Sequence, residues 1–216
     1  CLGANPDEVC FTSGGTEADN LAVLGPWRAR RDPTRRAIVT TPFEHKAILA
    51  AVHAAAREGA EERLAEIGGD GTVSTDAFSR LTDEAVALCT VMWVNNEIGT
   101  VQPIAELATI AKGRGAVFHS DAVQAFGKVE IDTRTLLVDL LTISRHKIGA
   151  PKGIGAVFIR RRTPLEPMLH GGPEDRGRRP GTENVAMAVG LARAAELAVA
   201  ERAAECARLA TLRDAL

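Results

Sequence analysis

The sequence lacks the positive excess that a nucleic-acid binder needs. Lys and Arg number 26 against 28 Asp and Glu in 216 residues, a net charge of −2, and a protein that grips phosphate backbones shows a basic surplus or stripe. The densest cationic run, "PWRARRDPTRR" (26–36), reads as an exposed helix end and loop. No apolar stretch is long enough for a bilayer span, and no charged-then-apolar leader opens the chain. The four cysteines, Cys1, Cys10, Cys89 and Cys206, form no CxxC pair. That argues against a metal site or a disulfide scaffold and fits a reducing cytoplasm. There is no Walker loop and no GxGxxG, so nucleotide binding is not indicated. An initiating Met is absent too: the chain opens on Cys1 and stops within the helical pattern "ECARLATLRDAL", and it is read as part of a longer protein.

What is present is an alternation. Apolar runs, "EVCFTS", "RAIVTT", "RLAEIG", "ALCTVMWVN", "GAVFHSDA", "LLTIS" and "GAVFIRR", read as strands. Between them lie the helical segments "GTEADNLAVLGPWRARR", "EHKAILAAVHAAAREGA", "TDAFSRL" and "PIAELATIAKGRG". Pro103 near the start of the last, with Gly113 and Gly115 at its end, supports its limits. Continuous apolar strands are covered on both faces, so the fold expected is α/β, a mostly parallel sheet with helices on both sides. Residues 1–181 read as one domain, and from Thr182 onward the chain is helical.

In such sheets ligands bind beyond the carboxyl ends of the strands. Five polar stretches lie there: "SGGT" (13–16), "FEH" (43–45), "NNE" (95–97), "SDAVQ" (120–124) and "SRHK" (144–147). Gly15 and Thr16 can present backbone N–H groups and a hydroxyl to an anion at a helix start; alone, the stretch is more simply a tight turn with Thr16 as N-cap and Asp19 in the first turn. Asp121 ends a buried strand, where a carboxylate costs free energy unless paired. It is either a cap or salt-bridge partner, or a fixed anion holding a proton on a heterocycle nitrogen, with Gln124 within reach of the same ligand. His45 is either structural or an imidazole stacked on a ring with a nitrogen for proton transfer. His53 and His119 read as structural, and either Asn95 or Asn96 can cap its turn. Lys147 is a solvated lysine or an amine made nucleophilic by desolvation. One cofactor asks for the whole set: pyridoxal phosphate needs a lysine, an acid facing its ring nitrogen, and a cup of donors such as "SGGT" with Ser144.

The stretches "FTSGGTEADNLAV", "EHKAIL", "VNNEIGTVQPI", "HSDAVQAFGKVEID", "SRHKIGAPKGIGAVFIRR" and "GRRPGTENVA" resemble, in unbroken order, the cysteine desulfurases of the nitrogen-fixation and iron–sulfur-assembly type. These belong to the class V aminotransferase group of fold-type I pyridoxal phosphate enzymes. The resemblance implies that Lys147 carries the cofactor and Asp121 faces its ring nitrogen. Gln124 and Asn96 contact the ring hydroxyl, and His45 stacks on the ring. Gly15, Thr16, Ser144 and His146 form the phosphate cup, and Thr182 reaches the phosphate of the neighbouring subunit in a homodimer. No metal is implied.

The sequence departs from the family at Pro173, Glu174 and Pro180, in the segment before Thr182, and at Arg145, where a small residue is commoner. The family's catalytic cysteine and substrate-gripping arginine lie in a smaller C-terminal domain, expected beyond Leu216. The implied reaction turns L-cysteine into L-alanine and passes sulfur as a persulfide to an acceptor or scaffold protein. None of the four cysteines here suits that role: Cys10 and Cys89 lie in strands, Cys206 is far along a helix, and Cys1 has no framework around it. The rivals are another class V enzyme, such as a selenocysteine lyase or aminotransferase, and a non-catalytic sulfur-transfer scaffold, which would need none of Lys147, Asp121 and His45.

Overall fold

The computed structural model describes residues 1–144, 148–150 and 152–215. Among these, seven strands form one sheet in the order β1-β7-β6-β5-β4-β2-β3. They are β1 (Val9–Thr12), β2 (Ala37–Thr40), β3 (Glu61–Leu64), β4 (Val86–Thr90), β5 (Val117–Asp121), β6 (Leu140–Ser144) and β7 (Gly155–Ile159). Pairing is parallel from β3 through β6. β7 runs antiparallel to both β6 and β1, so it alone of the seven is reversed. Every residue of β2, β4, β6 and β7 is buried, which is why these strands read as unbroken apolar runs.

Helices α1 (Gly15–Ala29) and α2 (Lys46–Arg57) cover one face. Val23, Leu24 and Trp27 of α1 meet Ile48 and Val52 of α2 over Ile38 and Leu88 of the sheet. The other face carries α3 (Thr75–Leu81), α4 (Ile104–Gly113) and the start of α5 (Val185–Asp214). Phe78, Leu107, Phe118 and Leu191 share that larger core, with the Phe78 and Phe118 rings edge to face at 6.5 Å. Leu191 and Ala195 are the buried residues of α5. Further along, Arg202 still donates to the Val129 carbonyl at 3.2 Å.

Two readings need correction. Pro26 and Trp27 are not at an exposed helix end; both are buried in α1. The irregular segment after β7 packs on this turn of α1, with the Glu166 N–H donating to the Gly25 carbonyl at 3.0 Å. A Cβ on Gly25 would come within 2.8 Å of Leu165. The Arg30 guanidinium closes the other side, 3.3 Å from the Trp27 ring centroid. Secondly, β3 begins and ends earlier than "RLAEIG". It is an edge strand of "EERL", with no apolar run to mark it.

Candidate active site

The carboxyl ends of β2, β4, β5 and β6 and the start of α1 open onto one cavity of about 400 Å³. Gly15, Thr16, His45, Asn96, Asp121, Gln124 and Ser144 all line it. Seven expected residues from five chain segments thus converge, as the strand-end rule requires. His146 and Lys147 lie outside the described residues. Thr182 is exposed and lines a second cavity of about 420 Å³.

One end of the cavity is built from the start of α1. Its N-cap is Gly14, not Thr16, and no side chain caps it. The first N–H groups of a helix have no intrahelical partner and carry the positive end of the dipole, so they are left for a ligand. β7 presses against this turn: a Cβ on Gly155 would lie 2.7 Å from the Gly14 carbonyl carbon. Ser144 comes from the other side, its Cβ 3.4 Å from where a Gly15 Cβ would stand. Glu17 also lines the cavity, its carboxylate held by the Ser13 N–H and the Arg179 guanidinium, each at 2.8 Å. Burial raises its pKa, but those two contacts outweigh it and hold the carboxyl below its usual range.

The opposite end is acidic. Asp121 is 5% exposed, and its Oδ1 accepts the Val123 N–H at 2.9 Å. Burial raises its pKa, opposed by that N–H and by His45. Two further carboxyls, neither assigned from the sequence, stand with it. Asp19, 1% exposed, also lines the cavity, and its Oδ1 has no hydrogen-bond partner. Burial, then the charge of Asp121, drives its pKa well up, against the pull of the Thr142 hydroxyl. Glu44 Oε1 accepts from the Thr41 hydroxyl at 2.6 Å and the Met92 N–H at 2.9 Å. Its Oε2 has no partner, and burial pushes its pKa up to about 8. The sequence held one signal for Asp19: it sits four residues after Gly15, on the face of α1 that buries Ala18 and Ala22.

The rim is polar. His45 is the N-cap of α2, its Nδ1 accepting the Ala47 N–H at 3.2 Å. In the neutral ring the proton therefore sits on Nε2. Asn95, not Asn96, holds its turn: its Oδ1 takes the Glu97 and Ile98 N–H groups at 2.9 and 3.0 Å. Asn96 is left to face the cavity. Gln124 Oε1 accepts from Lys128 Nζ at 3.0 Å, leaving the amide N–H groups as its donors.

The sequence pattern of the aminotransferase class-V family matches residues 1–213. The chain belongs to that family. Among class-V relatives, it is 46% identical over 220 residues to the IscS-like cysteine desulfurase of Mycobacterium tuberculosis, covering 100% of this chain and 56% of that protein. A solved NifS-like protein superposes with a TM-score of 0.95 at 37% identity, covering 99% of this chain and 59% of that one. SspA, solved in complex with cysteine, gives a TM-score of 0.83 at 36% identity, over 90% and 56% of the two chains. The chain spans about half the length of the curated relatives it matches.

Proposed function

We propose that this chain is the pyridoxal phosphate-binding part of a cysteine desulfurase, with a large domain over residues 1–181 and a helix from 182 onward leading toward a second, smaller domain. The observation that carries the reading is one cavity with an uncapped helix N-terminus at one end and a buried acid floor at the other. A phosphate suits the first. A cationic heterocycle nitrogen suits the second, because a buried carboxylate is stable only when compensated. Asp19 Oδ1, in the cavity wall, and Glu44 Oε2 have no hydrogen-bond partner.

The N–H groups of the turn at Gly15, the Thr16 and Ser144 hydroxyls and His146 would hold the phosphate. Asp121 would hold a proton on the ring nitrogen, and Asn96 and Gln124 would contact the ring hydroxyl. His45 would cover the ring face, with Nε2–H as the proton it can give. Lys147 would carry the cofactor through its amine and move protons there. Bound in this way, pyridoxal phosphate supplies an electron sink for bond breaking in an amino acid. In the overall reaction a protein thiolate takes the sulfur of L-cysteine, the carbon–sulfur bond breaks, and L-alanine and a protein persulfide result. An acceptor protein then receives the sulfur, for iron–sulfur cluster or other sulfur-cofactor assembly. The relatives named cysteine desulfurase and the neighbour solved with cysteine support the substrate.

We read the working form as a homodimer in the cytoplasm, with exposed Thr182 reaching the partner's phosphate. Among the described residues no helix is long and apolar enough to cross a membrane. The decisive experiment gives the full-length protein L-cysteine and a thiol reductant and measures alanine and sulfide. Equal yields are expected; alanine from selenocysteine alone, or transamination without sulfide, would replace the reading with another class V activity.

A further inference from the structure

A carboxylate lines the cavity at the end proposed to hold a phosphate. Glu17 sits in the first turn of α1, beside Gly15 and Thr16 in the cavity wall. A negative side chain there suits the helix dipole, but it opposes any second anion brought to the same N–H groups. Two contacts fix its position. Oε2 accepts the Ser13 N–H at 2.8 Å, so the side chain folds back over the N-terminus of its own helix. Oε1 accepts Arg179 Nε–H at 2.8 Å. The pair is sheltered from water, with the Arg179 side chain 27% exposed and the Glu17 side chain 21%.

Arg179 comes from the segment between β7 and α5 and lines the second cavity together with Thr182. Ser13 lines both cavities. That segment has anchors of its own. Arg178 Nη2 donates to the Asp7 carbonyl at 3.0 Å and to Asp175 Oδ1 at 2.8 Å, and Arg176 Nη1 reaches the same Asp7 carbonyl at 3.3 Å. Glu174 Oε2 accepts the Gly181 N–H at 3.3 Å. The path of the segment therefore does not hang on Arg179 alone. Of the acids near Arg179, Glu17 touches it, and Asp175 is itself held by Arg178.

A helix N-terminus carries roughly half a positive charge, and an unpaired carboxylate beside it more than cancels that. With Arg179 against Oε1 the pair is neutral, and the first N–H groups of α1 keep their pull on a ligand. We propose that Arg179 is a positioning residue for anion binding: it holds the Glu17 carboxylate on the Ser13 N–H and cancels its charge, so that the turn at Gly15 accepts a phosphate beside an acid. The inference rests on the reading of that turn as the phosphate site and adds to it a residue from the neighbouring cavity.

The test compares pyridoxamine phosphate with pyridoxamine in full-length protein stripped of cofactor. Neither ligand has an aldehyde, so binding is non-covalent and the ratio of the two Kd values isolates the phosphate. Equilibrium dialysis at low ionic strength, where screening is weak, measures it. In Arg179→Gln the preference for the phosphorylated ligand should fall by about tenfold, with pyridoxamine bound as before. In Glu17→Gln it should rise above the wild type, because Arg179 is then an uncancelled cation. The double variant should return to near the wild-type preference. An unchanged preference in Arg179→Gln would overturn the proposal. So would a double variant as poor as Arg179→Gln, since the arginine would then support the shape of the turn and not its charge. A weakened preference in Glu17→Gln would overturn it as well, and that result can be had even if Arg179→Gln does not fold. A wild type that binds the two ligands equally would remove the phosphate reading, and the proposal with it; the other failures leave that reading standing.

Discussion

Glu44 and Met92 are joined beneath the cavity, the Met92 N–H donating to Glu44 Oε1 at 2.9 Å while Glu44 Oε2 has no partner. Folding thus holds a carboxyl whose pKa burial raises to about 8 from an ordinary value of 4.5. The raised value means that its neutral form favours the fold. That contribution is complete below about pH 4.5 and is lost as pH rises toward about 8, at up to about 1.4 kcal/mol per pH unit. Glu44→Gln should remove this slope. Urea midpoints measured from pH 5 to 8 should fall less steeply in the variant; parallel curves would show that Glu44 is not the group responsible.

Asp121→Asn in the full-length protein should fold normally and lose turnover by orders of magnitude, because an amide cannot hold a proton on the ring nitrogen. Far-UV circular dichroism and alanine release measure the two. Near-normal turnover would remove Asp121 from its assigned role.

Lys147 is expected to be the lysine that carries the cofactor. Borohydride reduction of the loaded protein, followed by peptide mapping, should find the pyridoxyl group there. Its presence on Lys152 or Lys128 instead would refute the assignment.

None of the four cysteines is expected to carry the persulfide. Cys10 and Cys89 are fully buried, and burial raises both thiols, Cys89 to about 12, so neither offers a thiolate. Exposed Cys206 contacts the Lys128 carbonyl and is not among the cavity-lining residues. Changing each of the four to Ala in the full-length protein should leave turnover within about twofold of wild type. Loss of sulfide release from any one of them would identify that thiol as the carrier.

Gly155→Ala puts a methyl 2.7–2.8 Å from the Gly14 backbone. Overpacking of this kind costs about 1–3 kcal/mol, and here it also displaces the turn that offers its N–H groups. Lower thermal stability together with weaker pyridoxal phosphate binding is expected; loss of stability alone would mean that the turn does not hold the phosphate.

The sheet was legible because its central strands are buried on both faces, leaving runs such as "LLTIS" and "GAVFI" that no amphipathic helix would carry. An apolar run does not mark where a ladder ends, however. "ALCTVMWVN" continues past β4, where Val91 and Trp93 still donate to the His119 and Asp121 carbonyls although the strand stops at Thr90. At the site, strand ends could be found from pattern, but the partner of a carboxyl could not. Asp19 looked like a charge favouring the helix dipole, and Glu44 like the neighbour of His45. Only packing makes both of them buried acids. His119 read as structural for want of any local signal, since its two partners come from strands 29 residues before it and 23 residues after it.

β7 is the strand that runs against the others, and its pairing with β6 sets Ser144 opposite Gly155. Ser144 and Gly155 thus stand on one rung of the sheet, the first beside Gly15 and the second against Gly14. This pairing has no freedom of register: sliding by one residue would turn Ser144 to the far face and drive side chains into the Gly14 backbone. On the proposed reading, the segment that must bring Lys147 to the cofactor therefore departs from a rung fixed by apolar residues that touch no ligand. A single insertion in either strand should disable the lysine as surely as replacing it.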